Sequence, residues 1–483
     1  MHTNGKRQIY MYLPTIKKEL LSNILSLRYA LIFFLFLALT LAATVARTEM
    51  HKRMTHDYDT VTSLRNAAIG DTTVDFWNID NHGIFAKKRP NPLSIFAGGL
   101  ETEMTRTFQL SSQMPTHLSP RDINLPAYRT GLQLDMITIV SIVCSLLALL
   151  LMFDSVCGER EAGTLKMMLS GPMPRDVIIV SKIIAGMATL ITPLLLTWLL
   201  NILYVTAIAH VALNVQEWYR LCWLIVLSCL YVGFFSALGI AVSCWVQRSA
   251  TALITCLFFW TLAVLALPNL IPMIVNRVSP IPAESKIIQE KNAIHGDLNN
   301  ERQKWREEAG ATGQYETLER IDSVVNAKYW DEFRKREAQV DRFYQECVNR
   351  QIVLNQQVAR ISPAASFVYA ATHLTGAGMR DCLKLLSTVN DYSQSVNAYL
   401  QDGRDRTQKL FNEYQEKANS GQQNLEVPRP IKLDAGTFPK FSYALMPLST
   451  TLNNCWIDMA ILLCGCVLLF MLGFIGFIRY DVR

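Results

Sequence analysis

The chain lacks the signatures by which enzymes and self-powered pumps are most readily read. It has no GxxxxGK[ST] phosphate loop; Gly5-Lys6 lacks both the preceding glycine-rich turn and a following Ser or Thr. ATP-driven work therefore needs an ATPase on another chain. HExxH and GxSxG are missing too, and none of the eight histidines sits well inside an apolar run, which argues against an intramembrane zinc protease. No CxxC pair occurs, and Cys464-Gly-Cys466 is too close for a zinc knuckle. Charge is nearly missing from the apolar runs as well. Asp135 and Asp458 lie near run ends, and Asp458 reads as an interfacial helix-start residue. Ion-driven carriers and proton pumps generally keep a titratable relay at mid-membrane, so those classes are disfavoured. No catalytic, cofactor or metal residues are assigned on this chain.

What is present is hydrocarbon. Of 483 residues 51% are hydrophobic, mean hydropathy is +0.18, and several runs reach the length of about 20 residues that crosses a bilayer as helix. The net charge of +6 is modest, and the basic residues flank apolar runs, which speaks for topology rather than nucleic-acid binding. Seven of the eleven cysteines (Cys144, Cys222, Cys229, Cys244, Cys256, Cys464 and Cys466) lie in those runs as small apolar residues. The N-terminal region does not read as a cleavable signal, because its apolar run starts late and is long enough to remain in the membrane.

In order, residues 1–28 place Leu13, Ile16, Leu20, Ile24 and Leu27 at helical spacing among Lys17, Lys18, Ser22 and Asn23. That pattern suits an amphipathic helix in the headgroup layer, or the wet start of the first span. Spans are expected at 29–46, 136–153, 183–209, 221–246, 250–275 and 456–478. Residues 47–134 form a first extracytoplasmic insert, read as a helical stalk followed by short strands and loops. It carries Trp77, Asn81-His82-Gly83 and turns at Gly98-Gly99 and Pro115. Gly233, Ser236 and Gly239 in the fourth span suit close helix contact.

Residues 276–454 form a second, larger and helical insert. One apolar stripe there is Leu318, Ile321, Val325, Tyr329 and Phe333, continuing through Val340, Phe343, Cys347 and Ile352. A second is Cys382, Leu385, Leu386, Val389, Tyr392, Val396 and Tyr399. Gly310 and Gly313 interrupt the first and Ser362-Pro363 ends it. The stripes read as the core of a helical domain, with a substrate groove as the alternative. Cys347 and Cys382 form a disulfide or remain free thiols; sequence does not give their separation. With both inserts outside, the short basic segments fall on the cytosolic side, together with both termini. The fold class is mainly α: a polytopic membrane protein with six transmembrane helices, an N-terminal interfacial helix and two extracytoplasmic inserts.

Between the second and third spans lie residues 154–182. There Gly158-Glu159-Arg160-Glu161-Ala162-Gly163-Thr164-Leu165 is followed by Leu169-Ser170-Gly171-Pro172, Arg175 and Lys182. This ordered stretch resembles the motif of type-2 ABC exporter permeases, as do the basic N-terminal helix, the six spans and the short Arg248-Ser249 loop. Pro90-Asn91-Pro92-Leu93-Ser94 with Gly98-Gly99-Leu100-Glu101 resembles one signature of a subgroup with two large inserts. Ser362-Pro363-Ala364-Ala365 with Leu374-Thr375-Gly376-Ala377-Gly378 resembles the other.

The resemblance implies half of a transporter in the bacterial cytoplasmic membrane, surrounded by lipid and paired with itself or a second permease. It would dock a cytosolic ABC ATP-binding subunit that holds the ATP and Mg. The coupling interface would comprise Glu159, Arg160, Glu161, Gly163, Thr164, Leu165, Met168 and Leu169. Leu165, Met168 and Leu169 would form an apolar docking face, with Glu159, Arg160 and Glu161 pairing across that contact or within the permease. Gly163 would permit close backbone approach, and Pro172 and Pro174 would stiffen the exit. Thr192, Thr197 and Asn201 are candidates for the pathway or for helix packing. Two other readings are a mechanotransmitter acting on periplasmic partners without translocation, and a membrane-anchored receptor or scaffold without an ATPase.

Overall fold

A computed structural model describes residues 2–70, 76, 84–110, 134–170, 174–311, 318–420, 431, 433–434 and 436–479. Trp77, Asn81, His82, Gly83, Pro115, Gly171, Pro172 and Gly313 lie outside the described residues. The described chain is almost wholly helical, and six of its helices are long and apolar enough to cross a membrane. Hydrocarbon offers backbone groups no water, so an apolar run satisfies them internally as helix. The protein is a mainly-α, multi-pass membrane protein.

Helix α1 (His2–Ile24) leads into α2 (Leu27–Gly70), whose first turn is closed by Ser26 Oγ accepting from the Tyr29 amide at 3.2 Å. The first apolar run does not stop where its charges begin. It continues unbroken into the polar insert as one 44-residue helix. Strands β1 (Ile84–Lys87) and β2 (Thr107–Leu110) pair antiparallel, with Ile84 opposite Leu110. Between them lie a 3₁₀ turn, Pro92–Ile95, and the short α3 (Glu101–Met104).

The second apolar segment is α4 (Met136–Ile139), a π-helical turn and α5 (Ser145–Met152), started by Asp135 accepting from the Thr138 amide at 2.8 Å. Two short helices follow, α6 (Cys157–Glu161) and α7 (Thr164–Leu169). Helix α8 (Arg175–Leu203) carries Pro193 inside it. Helix α9 (Val215–Trp245) opens on a capping box between Asn214 and Glu217. The fifth apolar segment is α10 (Ser249–Trp260), a π-helical turn and α11 (Leu267–Val278).

The chain forms two compact units. The smaller contains α12 (Glu284–Ala311) and most of α13 (Leu318–Ala359). Ile287 packs with Tyr344 and Val348, and Leu298 with Tyr329 and Phe333, so the helices run antiparallel. Lys291 reaches Glu337 at 2.8 Å and Asp341 at 2.9 Å across them. The apolar stripe of α13 holds through Phe333 but then shifts. Tyr344 and Val348 are buried while Phe343 is 58% exposed, because the step from Phe333 to Val340 is seven residues and the next buried position lies four further on.

Most of α11 also belongs to the smaller unit; the larger holds α1 to α10 and, further along the chain, α14 (Pro363–Thr375), α15 (Met379–Asn419) and α16 (Leu448–Ile478). Two features depart from the sequence reading. First, α14 is no part of a separate outer domain: its Ala364, Phe367, Ala370, Ala371 and Leu374 share the core of the apolar helices. Phe367 stacks on Tyr231 of α9 at 4.2 Å, an aromatic pair that adds about 0.5–1.5 kcal/mol beyond burial. Second, the inserts share one core, in which Ile84, Ala86, Phe108 and Leu110 pack with Cys382, Leu385, Val389 and Val396.

Both Cys347 and Cys382 are free thiols, and burial pushes that of Cys382 up to about 12. Gly239, expected at a close contact, leaves room for Met152 of α5: a Cβ there would stand 2.8 Å from the Met152 Cβ. Asp458 does not start the sixth apolar helix. It lies ten residues beyond Leu448, fully buried, and accepts from Arg360 Nε at 2.7 Å.

Candidate functional site

The loop between the second and third apolar segments is held by hydrogen bonds to four other parts of the chain. Helix α6 starts where the Val156 and Cys157 amides both donate to Ser243 Oγ at 3.0 Å. These are amides that a helix start leaves without internal acceptors. Arg160 donates to the carbonyls of Cys244 and Val246, each at 3.2 Å, at the end of α9. A guanidinium there meets orphan carbonyls and the negative end of the helix dipole. Glu161 does the converse at the start of α10, accepting from the Ser249 amide at 3.1 Å and from Ser249 Oγ at 2.6 Å. Glu159 accepts from Lys182 Nζ of α8 at 2.6 Å, and Lys182 also reaches Glu19 of α1 at 3.1 Å. The Lys182 side chain is 3% exposed, so its two carboxylate partners are what make its burial tolerable.

The three charges of Gly-Glu-Arg-Glu are thus all engaged within the chain. What α7 offers outward also differs from the sequence expectation. Leu165 is fully buried, and Met168 and Leu169 are half-buried against the apolar core. Thr164, Lys166 and Met167 are exposed, Met167 at 75%. Gly163 has φ +74°, a conformation that favours glycine, and within the chain a Cβ there would meet nothing within 4 Å. Beyond the loop, Arg175 donates to the Ile478 carbonyl at 3.0 Å, at the end of α16. Sequence reasoning missed Ser243 and Glu19. No local signal marks either, since their partners lie 87 and 163 residues away.

The profile of the ABC-2 family transporter proteins matches residues 13–482. The chain belongs to that family. A search of the curated proteins finds no match. As an ABC-2 transporter protein it is a membrane component rather than the ATPase, and membrane subunits of this family work with an ATP-binding subunit.

In this ABC-2 protein the two insert signatures, far apart in sequence, meet in space. Asn91 caps the Pro92–Ile95 turn through its Oδ1, while its Nδ2 donates to the Thr375 carbonyl, 284 residues away, at 2.5 Å. Glu101 accepts from the Asn91 amide at 2.8 Å and pairs with Lys88, both side chains being at most 2% exposed. The Leu100 amide donates to the Ala377 carbonyl at 2.9 Å, and the Gly98 amide to Asp135 Oδ2 at 2.7 Å. Gly99, at φ +46°, leaves no room for a side chain: its Cβ would lie 2.5 Å from the Ala377 carbonyl oxygen.

Arg220 of α9 donates to the Leu374 and Met446 carbonyls. Ser362 caps α14 and donates to the Ala263 carbonyl in the fifth apolar segment at 2.6 Å. Of the polar residues expected on α8, Thr197 and Asn201 are buried together, with Asn201 Nδ2 donating to the Thr197 carbonyl at 2.8 Å. Thr192 is exposed and bonds the Ala188 carbonyl, so it does not join them.

Proposed function

We propose that this chain is the permease subunit of an ATP-driven exporter in a bacterial cytoplasmic membrane. It pairs with a second permease and takes its drive from a cytosolic ATP-binding subunit seated on residues 154–182. Both termini, the 154–182 loop and the Arg248 loop face the cytosol; both polar inserts face outward. The observation that carries this reading is the set of contacts made by Gly-Glu-Arg-Glu. Glu159 holds Lys182 two turns inside α8, Arg160 holds the end of α9 and Glu161 the start of α10, so a push on α7 displaces α8, α9 and α10 together rather than bending a loose loop. Exposed Thr164, Lys166 and Met167 are the surface on which the ATPase bears.

The test is the ATPase rate of the permease–ATPase complex in vesicles. Lys182→Met and Glu159→Ala preserve assembly and abolish the stimulation that the permease gives; unchanged stimulation in both would overturn the reading. A second reading, force delivered to a periplasmic partner without translocation, is favoured by one feature. Helix α13 ends at Ala359, and the next residue, Arg360, is paired with buried Asp458 of α16. Motion of the sixth span would therefore reach the base of a 42-residue helix. Flux of a substrate in the reconstituted complex separates the two readings.

A further inference from the structure

Among the described residues, π-helical turns interrupt three apolar segments: Val140–Cys144 in the second, Tyr204–Ile208 in the third and Thr261–Ala266 in the fifth. Such a turn pairs amides with carbonyls five residues back, so a carbonyl loses the amide that an α-helix would give it. In the second segment that carbonyl belongs to Ser141, because the Ser145 amide, four residues on, donates to Ile142 and Val140 instead. In the fifth it belongs to Ala263, because the Leu267 amide donates to Leu262. In hydrocarbon a freed carbonyl needs a donor from within the protein.

Both find one on another element. Tyr231 Oη of α9 donates to the Ser141 carbonyl at 2.8 Å, beside Ser145 Oγ at 2.5 Å. Ser362 Oγ, at the cap of α14, donates to the Ala263 carbonyl at 2.6 Å. The two outside donors belong to one packed pair of helices, since Tyr231 stacks on Phe367 of α14. A π-turn does not in itself require a borrowed hydroxyl. In the third segment the Ala209 amide goes to Tyr204, and the Val205 carbonyl is taken by the nearby Val211 amide at 3.1 Å. Two turns are latched from outside, and the third closes on itself.

The latched turns are also tied to each other. Trp260, the last residue of α10, donates from Nε1 to Oγ of Ser145, the first residue of α5, at 2.9 Å. Each of these residues adjoins a π-turn, so the bond joins the two segments where both are interrupted. At their other ends α5 runs into the 154–182 loop, and α10 starts at Ser249, which Glu161 of that loop holds. Helix α9 has neither a π-turn nor a proline.

We propose that Val140–Cys144 and Thr261–Ala266 form a paired hinge, with Tyr231 and Ser362 as its latches. Helices α5 and α10 swing as one body between the loop and the Trp260–Ser145 bond, and α9 and α14 carry the latches. A swing gives up both hydroxyl–carbonyl bonds. The proposal goes beyond the coupling reading, because it says where the bundle yields. It is tested on the permease alone, so its failure is distinguishable from a failure of ATPase coupling.

The experiment is amide hydrogen exchange of the full-length permease in phosphatidylcholine nanodiscs, mapped by peptide mass. Tyr231→Phe keeps the ring and its stack on Phe367 and removes only the latch. Because one swing opens both turns, it speeds exchange about tenfold in peptides holding 140–145 and 261–267 alike. Ser362→Ala raises the same two. Peptides holding 204–209 keep the wild-type rate in both variants. Adding Trp260→Phe unties the segments and confines each effect to its own turn. Ser145→Ala breaks the same tie should Trp260→Phe fail to fold, as judged by size-exclusion profile. Unchanged exchange in both latch variants, a rise spread evenly over all apolar segments, or a response confined to one turn while Trp260 is in place would each overturn the proposal.

Discussion

Two of the charged clusters that hold the protein together are built differently. Around Asn91, Lys88 and Glu101 the polar groups are at most 5% exposed and lock two segments separated by 284 residues. Around Gly-Glu-Arg-Glu, Glu19 and Glu159 keep 17% and 25% of their side chains in contact with solvent on either side of Lys182, itself 3% exposed, and Arg160 and Glu161 sit on the ends of helices. A buried network is costly to break and has one arrangement. A half-solvated set of helix-end contacts can loosen and re-form at small cost. The first is suited to a fixed joint and the second to a joint that moves, and substitutions can drive the two apart.

The largest effect is expected at the fixed joint. Glu101→Ala strands the buried Lys88 ammonium and costs about 3–5 kcal/mol; a thermal melt of the purified protein shows a large drop, or no folded protein is recovered. Gly99→Ala comes next, because a positive φ and a carbonyl in the way together cost about 1–3 kcal/mol. At the moving joint, Gly163→Ala has the same class of φ and no obstruction, so the loss is about 1–2 kcal/mol and conformational only; melts of the two alanine variants side by side test that ordering. Lys182→Met deletes a buried ammonium and leaves Glu19 and Glu159 unpaired but still part-solvated, so it costs about 1–2 kcal/mol, less than Glu101→Ala, and it abolishes the stimulated ATPase rate. Smallest of all, Glu161→Gln leaves the melt unmoved and lowers only that rate. Equal melts for Glu101→Ala and Lys182→Met would erase the distinction.

Much of this architecture was legible because its cause is local. Apolar runs of bilayer length must become helices, and six appear. Asp135 was visible as the start of a span and caps it. The Gly-Glu-Arg-Glu order is readable as an ordered motif, but its partners within the chain are not: helix-end carbonyls and the hydroxyl of Ser243 leave no trace in sequence near Arg160 or Val156. Leu165 was read outward because a six-residue helix carries too little periodicity to tell which side is wet. Helix α14 falls within the polar 276–454 stretch and so reads as part of the outer insert; its packing against Tyr231 shows only in the fold. Phe343 failed for a related reason, since a stripe read at fixed steps does not foresee where two helices slip in register.

The measurement closest to the central claim is photocrosslinking from Met167, the most exposed apolar side chain of α7. With p-benzoylphenylalanine at that position and the ATP-binding subunit co-expressed, the account predicts a covalent adduct with that subunit, and none from the same group at Leu134. An adduct from Leu134 and none from Met167 would contradict it.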